Sequence, residues 1–569
     1  MSARKEFERL KALSDVPEER RADWLSSAED SVEFLKSNAL SDYVVIYASL
    51  PNVLIHGVLA PLAALAPPDQ EDLLRAHVDI GDSWVIQRSY GGDEGHRVYL
   101  EPPLTYPGCR SLVGGEKLIF RRHFEGMPNY KTPTELNQKI VHCLGLHWVQ
   151  ERHAYCRLDQ NGDVEEIIVV LSSSAPSPYR LAEAVLISSK DLAEYMALSR
   201  QALVRKFDFT RALLNSFSGW KGEQRAQRSA PDLFYDVAVM PGHASYANGC
   251  QIIRTELTEE SIVEEWKRSL DPANRQYETF KIQDWKNNRL VECSCAPDAI
   301  SNYFTKSDKP FEISPAFFKP EVLAKYKSDP DKYDLSDRSI GCRNSWYLKT
   351  YDINEEGQVH TYIVYLSQLP FEEQKYWKLF NEWPKAPISK RAFQTDFEGT
   401  WSTEHDPLDD LKLLIHELDR NRPNWWKPRG EELARAVHYP VTDSSKEWAD
   451  ELLSLDQLIV EGFVLKELRS LAAKLAVEFE PSWASLRILE ALLPALGIPA
   501  DQALPIMEPL RRLHHLRTKM KGHAAPTERR ELEAAARTEF VTLREHFGAL
   551  ARGCHTGLTK IADALHGVD

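Results

Sequence analysis

Over the first 400 residues apolar positions come in short runs and alternations, while beyond residue 405 they recur every three or four positions. That change of period predicts a sheet-bearing front joined to a helical back. Residues 3–38 carry helical spacing with a break at Asp15 to Pro17, which makes 1–42 a helical lead-in. From Tyr43 the chain turns β-rich. YVVIYASL reads as a buried strand, Pro51 and Asn52 as a turn, and the rest of the charge-free run 43–68 as a short core helix. Pro51, Gly57 and Pro61 interrupt that run, so it lacks the roughly 20 consecutive apolar residues of a membrane span. SLVGGEKLIFRRHF and HAYCRLDQNGDVEEIIVVLSSS read as hairpins, 188–207 as a helix, and DLFYDVAVM and NGCQIIRTEL as further β segments. The front is therefore α+β with mixed sheets, divided as 43–230 and 231–400.

An internal echo suggests that these two α+β units are related. Gly162, Val164, Val169, Leu171 and Ser172 stand in the same register as Gly357, Val359, Val364, Leu366 and Ser367. Trp148 and Tyr155 precede the first set, Trp346 and Tyr351 the second. The same polar, glycine-containing pattern is also what an ordinary hairpin turn looks like, so duplication and coincidence both remain open.

Past Trp401 the prediction is an all-α bundle over 405–569. Asp406 followed by Pro407 is a capping residue with proline at the first helical position, and Leu408, Leu411, Ile415 and Leu418 then share one face. One long helix is expected over about 446–480, then one capped by Ser482, then PADQALPIMEPLRRLHHLRTKMKGH. A last helix from near Thr527 repeats Leu532, Ala536, Phe540, Leu543, Phe547 and Leu550.

Composition narrows the class of protein. A 43% hydrophobic and 27% charged chain of 569 residues can bury several cores and is expected to be folded nearly throughout. Its net charge of −15 disfavours indiscriminate binding to polyanions, though a local basic patch still acts within the screening length. Eight scattered cysteines with no signal peptide ahead of them read as reduced cytoplasmic thiols. Cys293 and Cys295 lack a second ligand pair at zinc spacing and are assigned to one face of a strand, so no metal or other cofactor is called. Trp425 with Trp426, and Tyr376 with Trp377, are read as packing.

Candidate chemistry is sparse. The chain has no G-x-x-x-x-G-K-[ST], no G-x-G-x-x-G and no G-x-S-x-G, and Arg420 stands where H-E-x-x-H would need its second histidine after His416 and Glu417. Arg121, Arg122 and His123, and Gly242, His243 and Ser245, are polar clusters in the front that suit loops as well as pockets. One constellation stands out. Between Glu508 and Glu528 there is no acid, while Arg511, Arg512, Arg517, Lys519 and Lys521 are joined by His514, His515 and His523. Leu510, Leu513, Leu516 and Met520 are expected to pack inward, leaving Arg517 on a flank with His514 and Lys521, and Gly522 is expected to end the helix and turn His523 back toward Arg517.

Arg517 to His523 spells R-x5-H at the end of a bundle helix, which resembles the R-x(4 to 6)-H motif of HEPN domains. Thr518 stands where many catalytic members carry Asn, Asp or His. The resemblance implies a metal-independent ribonuclease, dimeric across the motif, in which Arg517 clamps the scissile phosphate and His523 moves the proton. Arg511, Arg512, Lys519 and Lys521 would meet the nucleic acid, since guanidinium and ammonium groups recognise phosphate and imidazole titrates near neutrality. It also implies a prokaryotic toxin or antiphage-defence effector, with RNA as substrate, a homo-oligomer through its helical part, and a protein or small-molecule trigger at the α+β region. The alternative is a non-enzymatic sensor or scaffold whose helical part mediates assembly. In that case the basic stripe is a solvated helix face.

Overall fold

A computed structural model describes residues 2–14, 16, 18–76, 78, 85–91, 95–101, 110–120, 134–173, 182–212, 217, 219–220, 223–336, 338–400, 406–521, 526–540 and 542–566. It is an α+β fold with a helical C-terminal part. The chain forms two compact units, Met1–Asp159 with Val164–Arg275, and Gln160–Asp163 with Gln276–Asp569.

The first unit is built on an eleven-stranded sheet, antiparallel in every pairing. Its order runs from Gln224–Ala230 through Leu233–Met240, Ala244–Ile253, Gln201–Ala212, Val53–Pro61, Tyr43–Leu50, Ala182–Ser188, Val164–Ser173 and Ala154–Leu158 to His147–Val149, and the eleventh strand, Glu116–Lys117, pairs with Val53–Pro61 off this path. A β-bulge between Val45 and Tyr47 offsets the alternation by one residue and so brings Val45 and Ala48 to one face, where Phe7 and Leu10 of the Ala3–Ser14 helix and Val32 and Leu35 of the Glu29–Asn38 helix cover them. Val44 and Ile46 join a core with Leu192 and Met196 of the Ser189–Ser199 helix. The lead-in is thus one cover of the sheet. Because Leu233–Met240 and Ala244–Ile253 pair into this sheet, the expected division at 230 falls inside it.

Two segments expected as helix are central strands. Val53–Pro61 pairs with both Tyr43–Leu50 and Gln201–Ala212. A continuous apolar run suits a strand buried on both faces as well as a core helix, and only pairing decides. Gly57 belongs to that pairing, since a Cβ there would come 2.5 Å from the Ile46 carbonyl oxygen. Likewise 188–207 is helical only to Ser199, where Arg200 takes the left-handed conformation and QALVRKF continues as strand. Of SLVGGEKLIFRRHF, residues 121–124 lie outside the described residues, and the strands before them, Glu116–Lys117 and Ile119–Phe120, pair with Val53–Pro61 and Glu135–Leu136 and not with each other, whereas Ala154–Leu158 and Val164–Ser173 do form a hairpin.

In the second unit, a six-stranded sheet including Thr279–Asp284, Pro315–Phe318 and Val359–Tyr362 carries a core of Phe280, Phe318, Trp377 and Tyr326. Cys293 and Cys295 are buried in that core. Gly162 and Gly357 both sit in turns at positive φ, 74° and 73°. Val164 and Val359 then both open strands, and the echo ends after them, because Val169, Leu171 and Ser172 are strand while Val364 and Leu366 lie in the Ile363–Leu366 helix.

The bundle comprises, among the described residues, helices Pro407–Asn421, Gly430–Ala436, Ser445–Ile459, Leu465–Lys474, Ser485–Ala495, Ala500–Lys521, Pro526–Glu539 and Leu543–Leu565. Asp406 caps the first, accepting from the Leu408 and Asp409 amides, and Leu408, Leu411, Ile415 and Leu418 are buried. The expected 446–480 helix is broken by a 3₁₀ turn at Val460–Gly462. Trp426 presses on Gly462 there so closely that a Cβ would lie 2.4 Å from the ring. Ser482 caps nothing, since the next helix begins at Ser485 with no side-chain cap. Thr542 splits the expected last helix in two by capping Leu543–Leu565.

Candidate functional site

The basic stripe rides on Ala500–Lys521, whose inner face buries Met507, Leu510, Leu513, Leu516 and Met520 at helical spacing. Burial of that face sends the cations toward neighbouring helices and solvent. Arg511 donates to Glu490 at 3.0 and 3.1 Å and to Glu508 at 3.2 Å. Arg512 pairs with Glu539 and lies 3.2 Å from Nε2 of His546. Lys519 pairs with Glu528 at 2.6 Å, and Lys521 with Asp450. Four residues read as phosphate contacts therefore each have a carboxylate beside them, donated by helices that a sequence window does not connect.

Arg517 differs. Its Nε lies 3.5 Å from Asp456 Oδ2, an ion pair without hydrogen-bond geometry. The other oxygen of Asp456 accepts from His514 Nδ1 at 3.0 Å. Asp456, on Ser445–Ile459, has a side chain 1% exposed, whereas that of His514 is 48% exposed. His514 and Arg517 are one helical turn apart, so a single buried carboxylate aligns both. The hydrogen bond that His514 donates to Asp456 raises the His514 pKa above its ordinary 6.5, against the opposing effects of burial and Arg517. With Nδ1 committed as donor, the neutral ring carries its lone pair on Nε2. The arrangement offers an oriented base that becomes an acid on protonation, next to a guanidinium that can hold an anion.

His523 and Gly522 lie outside the described residues, as do Arg121, Arg122 and His123. His243 and Gly242 form the turn between strands Leu233–Met240 and Ala244–Ile253, with the His243 amide donating to the Met240 carbonyl. Among the described residues no group of three His, Cys, Asp or Glu side chains is placed to hold a metal ion. Trp425 and Trp426 pack with Phe463, and Trp377 with Phe318 and Tyr326.

Asp456 is the residue that sequence reasoning missed. One signal pointed to it: an acid standing among Leu452, Leu455 and Ile459 on the apolar face of a helix needs a partner. Nothing local names His514 as that partner. Comparison with family models, with curated proteins and with solved structures finds no match for this chain. No helix among the described residues is long and apolar enough to cross a membrane.

Proposed function

We propose that the chain is a metal-independent, HEPN-like endoribonuclease, a cytoplasmic effector of the toxin or antiphage-defence kind, whose reacting groups are His514 and Arg517. The observation that carries this reading is the shared carboxylate, with Asp456 holding His514 Nδ1 at 3.0 Å and Arg517 Nε at 3.5 Å. Arg517 receives a non-bridging oxygen of the scissile phosphate. Nε2 of the neutral His514 takes the proton of the ribose 2′-hydroxyl as that oxygen attacks phosphorus. The bond from phosphorus to the 5′-oxygen breaks, and a protonated imidazole returns a proton to the leaving oxygen, giving a 2′,3′-cyclic phosphate and a free 5′-hydroxyl. His523 is the candidate for that second imidazole, and a dimer across the motif would bring further copies of both.

The test is cleavage of single-stranded RNA by purified protein in EDTA, with the cyclic phosphate read by mass spectrometry. His514→Ala and Arg517→Ala should each lower the rate by about 10²-fold or more. Full activity in both variants would overturn the reading.

A second reading, an assembly scaffold, is favoured by the carboxylates beside Arg511, Arg512, Lys519 and Lys521, which tie the stripe into the bundle. It predicts that no RNA is cut under any condition and that charge reversal of Glu490 and Glu539 alters assembly.

A further inference from the structure

In the first unit, strand Ala244–Ile253 is followed by a helix, Glu259–Leu270, in which no residue is buried. Local bonds hold its ends. Thr258 and Ser261 cap the start reciprocally at 3.0 and 3.2 Å, and the Asp271 amide closes the last turn on the Lys267 carbonyl. Caps set where a helix begins and stops but give it no cover, and isolated helices of about 12 residues are marginal in water. This one is also strongly two-faced. At 3.6 residues per turn Ile262, Val263, Trp266 and Leu270 fall in a stripe about 100° wide. Trp266 is 62% and Leu270 60% exposed, and Leu257, just ahead of the cap, is exposed as well. Amphipathic and uncovered, the helix has the form of a docking element.

Charge decides what the stripe fits. Glu259, Glu260, Glu264 and Glu265 come in the first half and Lys267 and Arg268 follow, so the helix is acidic toward its start and basic toward its end. A uniformly acidic or basic partner would meet like charge at one end. A parallel copy would set Glu260 beside Glu260 and Lys267 beside Lys267. An antiparallel copy instead lays the acidic half of each helix along the basic half of the other, and opposes the two helix dipoles. Glu260 and Lys267 are seven residues apart, so they lie on the same flank of the stripe. A twofold axis brings that flank against the same flank of the copy. With the helices crossing near Val263, Glu260 of each copy meets Lys267 of the other, and Leu270 of each comes level with Leu257 of the other. Ile262, Val263 and Trp266 fill the space between. Lys267 pairs within its own helix with Glu264 at 3.0 Å, but both side chains are more than half exposed, so that bond costs little to exchange. Glu265, on the opposite flank, stays at the solvent edge, where screening weakens the repulsion from its copy.

We propose that Glu259–Leu270 is a self-association surface, on which a second copy of this chain docks through the same helix, antiparallel about a twofold axis near Val263. The assignment is independent of the ribonuclease reading and of a dimer across Arg517, since it uses no residue of that site. One helix stripe offers less than the roughly 800 Å² per partner of a standard interface, so the dimer is weak and its formation follows concentration.

The test is sedimentation equilibrium of the full chain over a range of about 1 to 200 μM, suited to a weak interface. The average mass should rise toward twice that of the chain. Trp266→Ala should abolish the rise, with helix content unchanged by circular dichroism. Glu260→Lys and Lys267→Glu should each weaken association by at least about fivefold, because each sets like charges together twice across the axis. Combining the two should restore it. A mass that stays that of the monomer, association unaffected by Trp266→Ala, or a double variant as weak as the single ones would each overturn the proposal.

Discussion

Two buried charges, one in the sheet and one in the bundle, are treated in opposite ways. Arg205 in the first unit is wholly buried, and its donors are spent on Gln251, on Asn38 at 2.7 Å and on the Leu35 and Val45 carbonyls at 2.8 and 3.3 Å. Every partner is fixed in helix or strand, so the guanidinium acts as a rivet between the lead-in and the sheet. Asp456 in the second unit is equally buried, yet the groups it holds, His514 and Arg517, reach partly into solvent. A buried charge whose partners are also buried stabilises the fold. One whose partners remain exposed orients groups that can act on something else.

The largest effect expected from this contrast is on folding. Arg205→Ala leaves the buried Gln251 side-chain oxygen without its donor and takes one donor each from Asn38 and the Leu35 carbonyl, which keep those of Val45 and Ala39, and should cost roughly 3 kcal/mol, read as a lower urea midpoint for loss of β signal. A loss below about 1 kcal/mol would break the comparison. His514→Ala should do the reverse, with little effect on the midpoint and a loss of about 10²- to 10⁴-fold in RNA cutting. Asp456→Asn sharpens the contrast, because it keeps the shape but removes the charge that raises the His514 pKa. Its activity should fall, and the alkaline-ward rise of its pH profile should move to lower pH; an unmoved profile would deny Asp456 its positioning role.

Two opposite pH dependences follow from the histidines. The folded pKa of His514 is raised, so its pair with Asp456 contributes stability that is present below 6.5 and lost as the pH rises through the folded value. The difference in unfolding free energy between the parent protein and His514→Ala should therefore shrink on passing from mildly acidic to alkaline buffer, by about 1 kcal/mol at most for a half-exposed group. His360, His438 and His546 are pushed down to about 4 by burial and so weaken the fold as the pH falls from 6.5 toward 4. Acid melting of the second unit should steepen over that window, and a flat response would contradict neutral burial. The smallest effect is expected of Arg511→Ala. That side chain is engaged by Glu490 and Glu508, so stability should change by about 1 kcal/mol or less and RNA cutting by no more than a few fold.

Legibility in the sequence followed the range of the interaction. The Asp406 cap and the buried rows Leu408, Leu411, Ile415, Leu418 and Leu510, Leu513, Leu516, Met520 rest on neighbours three or four residues away, and they appear as expected. The helix breaks at Val460–Gly462 and before Thr542 depend on Trp426 pressing from another segment and on a local cap inside an otherwise helical pattern. Val53–Pro61 and the strand after Arg200 were hidden because their apolar runs suit either period, and only the flanking strands of the sheet select one. At the candidate site, Arg517 was visible as part of a basic stripe, while its carboxylate partner was not.

By itself, then, the amino-acid order determined an α+β front, a helical C-terminal part, the capped helix start at Pro407 and the inward face of Ala500–Lys521, because these depend on capping and on side-chain period within a few residues. Tertiary structure alone decided which cations of the stripe are paired away and which are oriented. The acids that divide them, Asp450, Asp456, Glu490, Glu508, Glu528 and Glu539, lie on four different helices and beside their ends, and a Coulomb pair forms by distance in space whatever the separation along the chain.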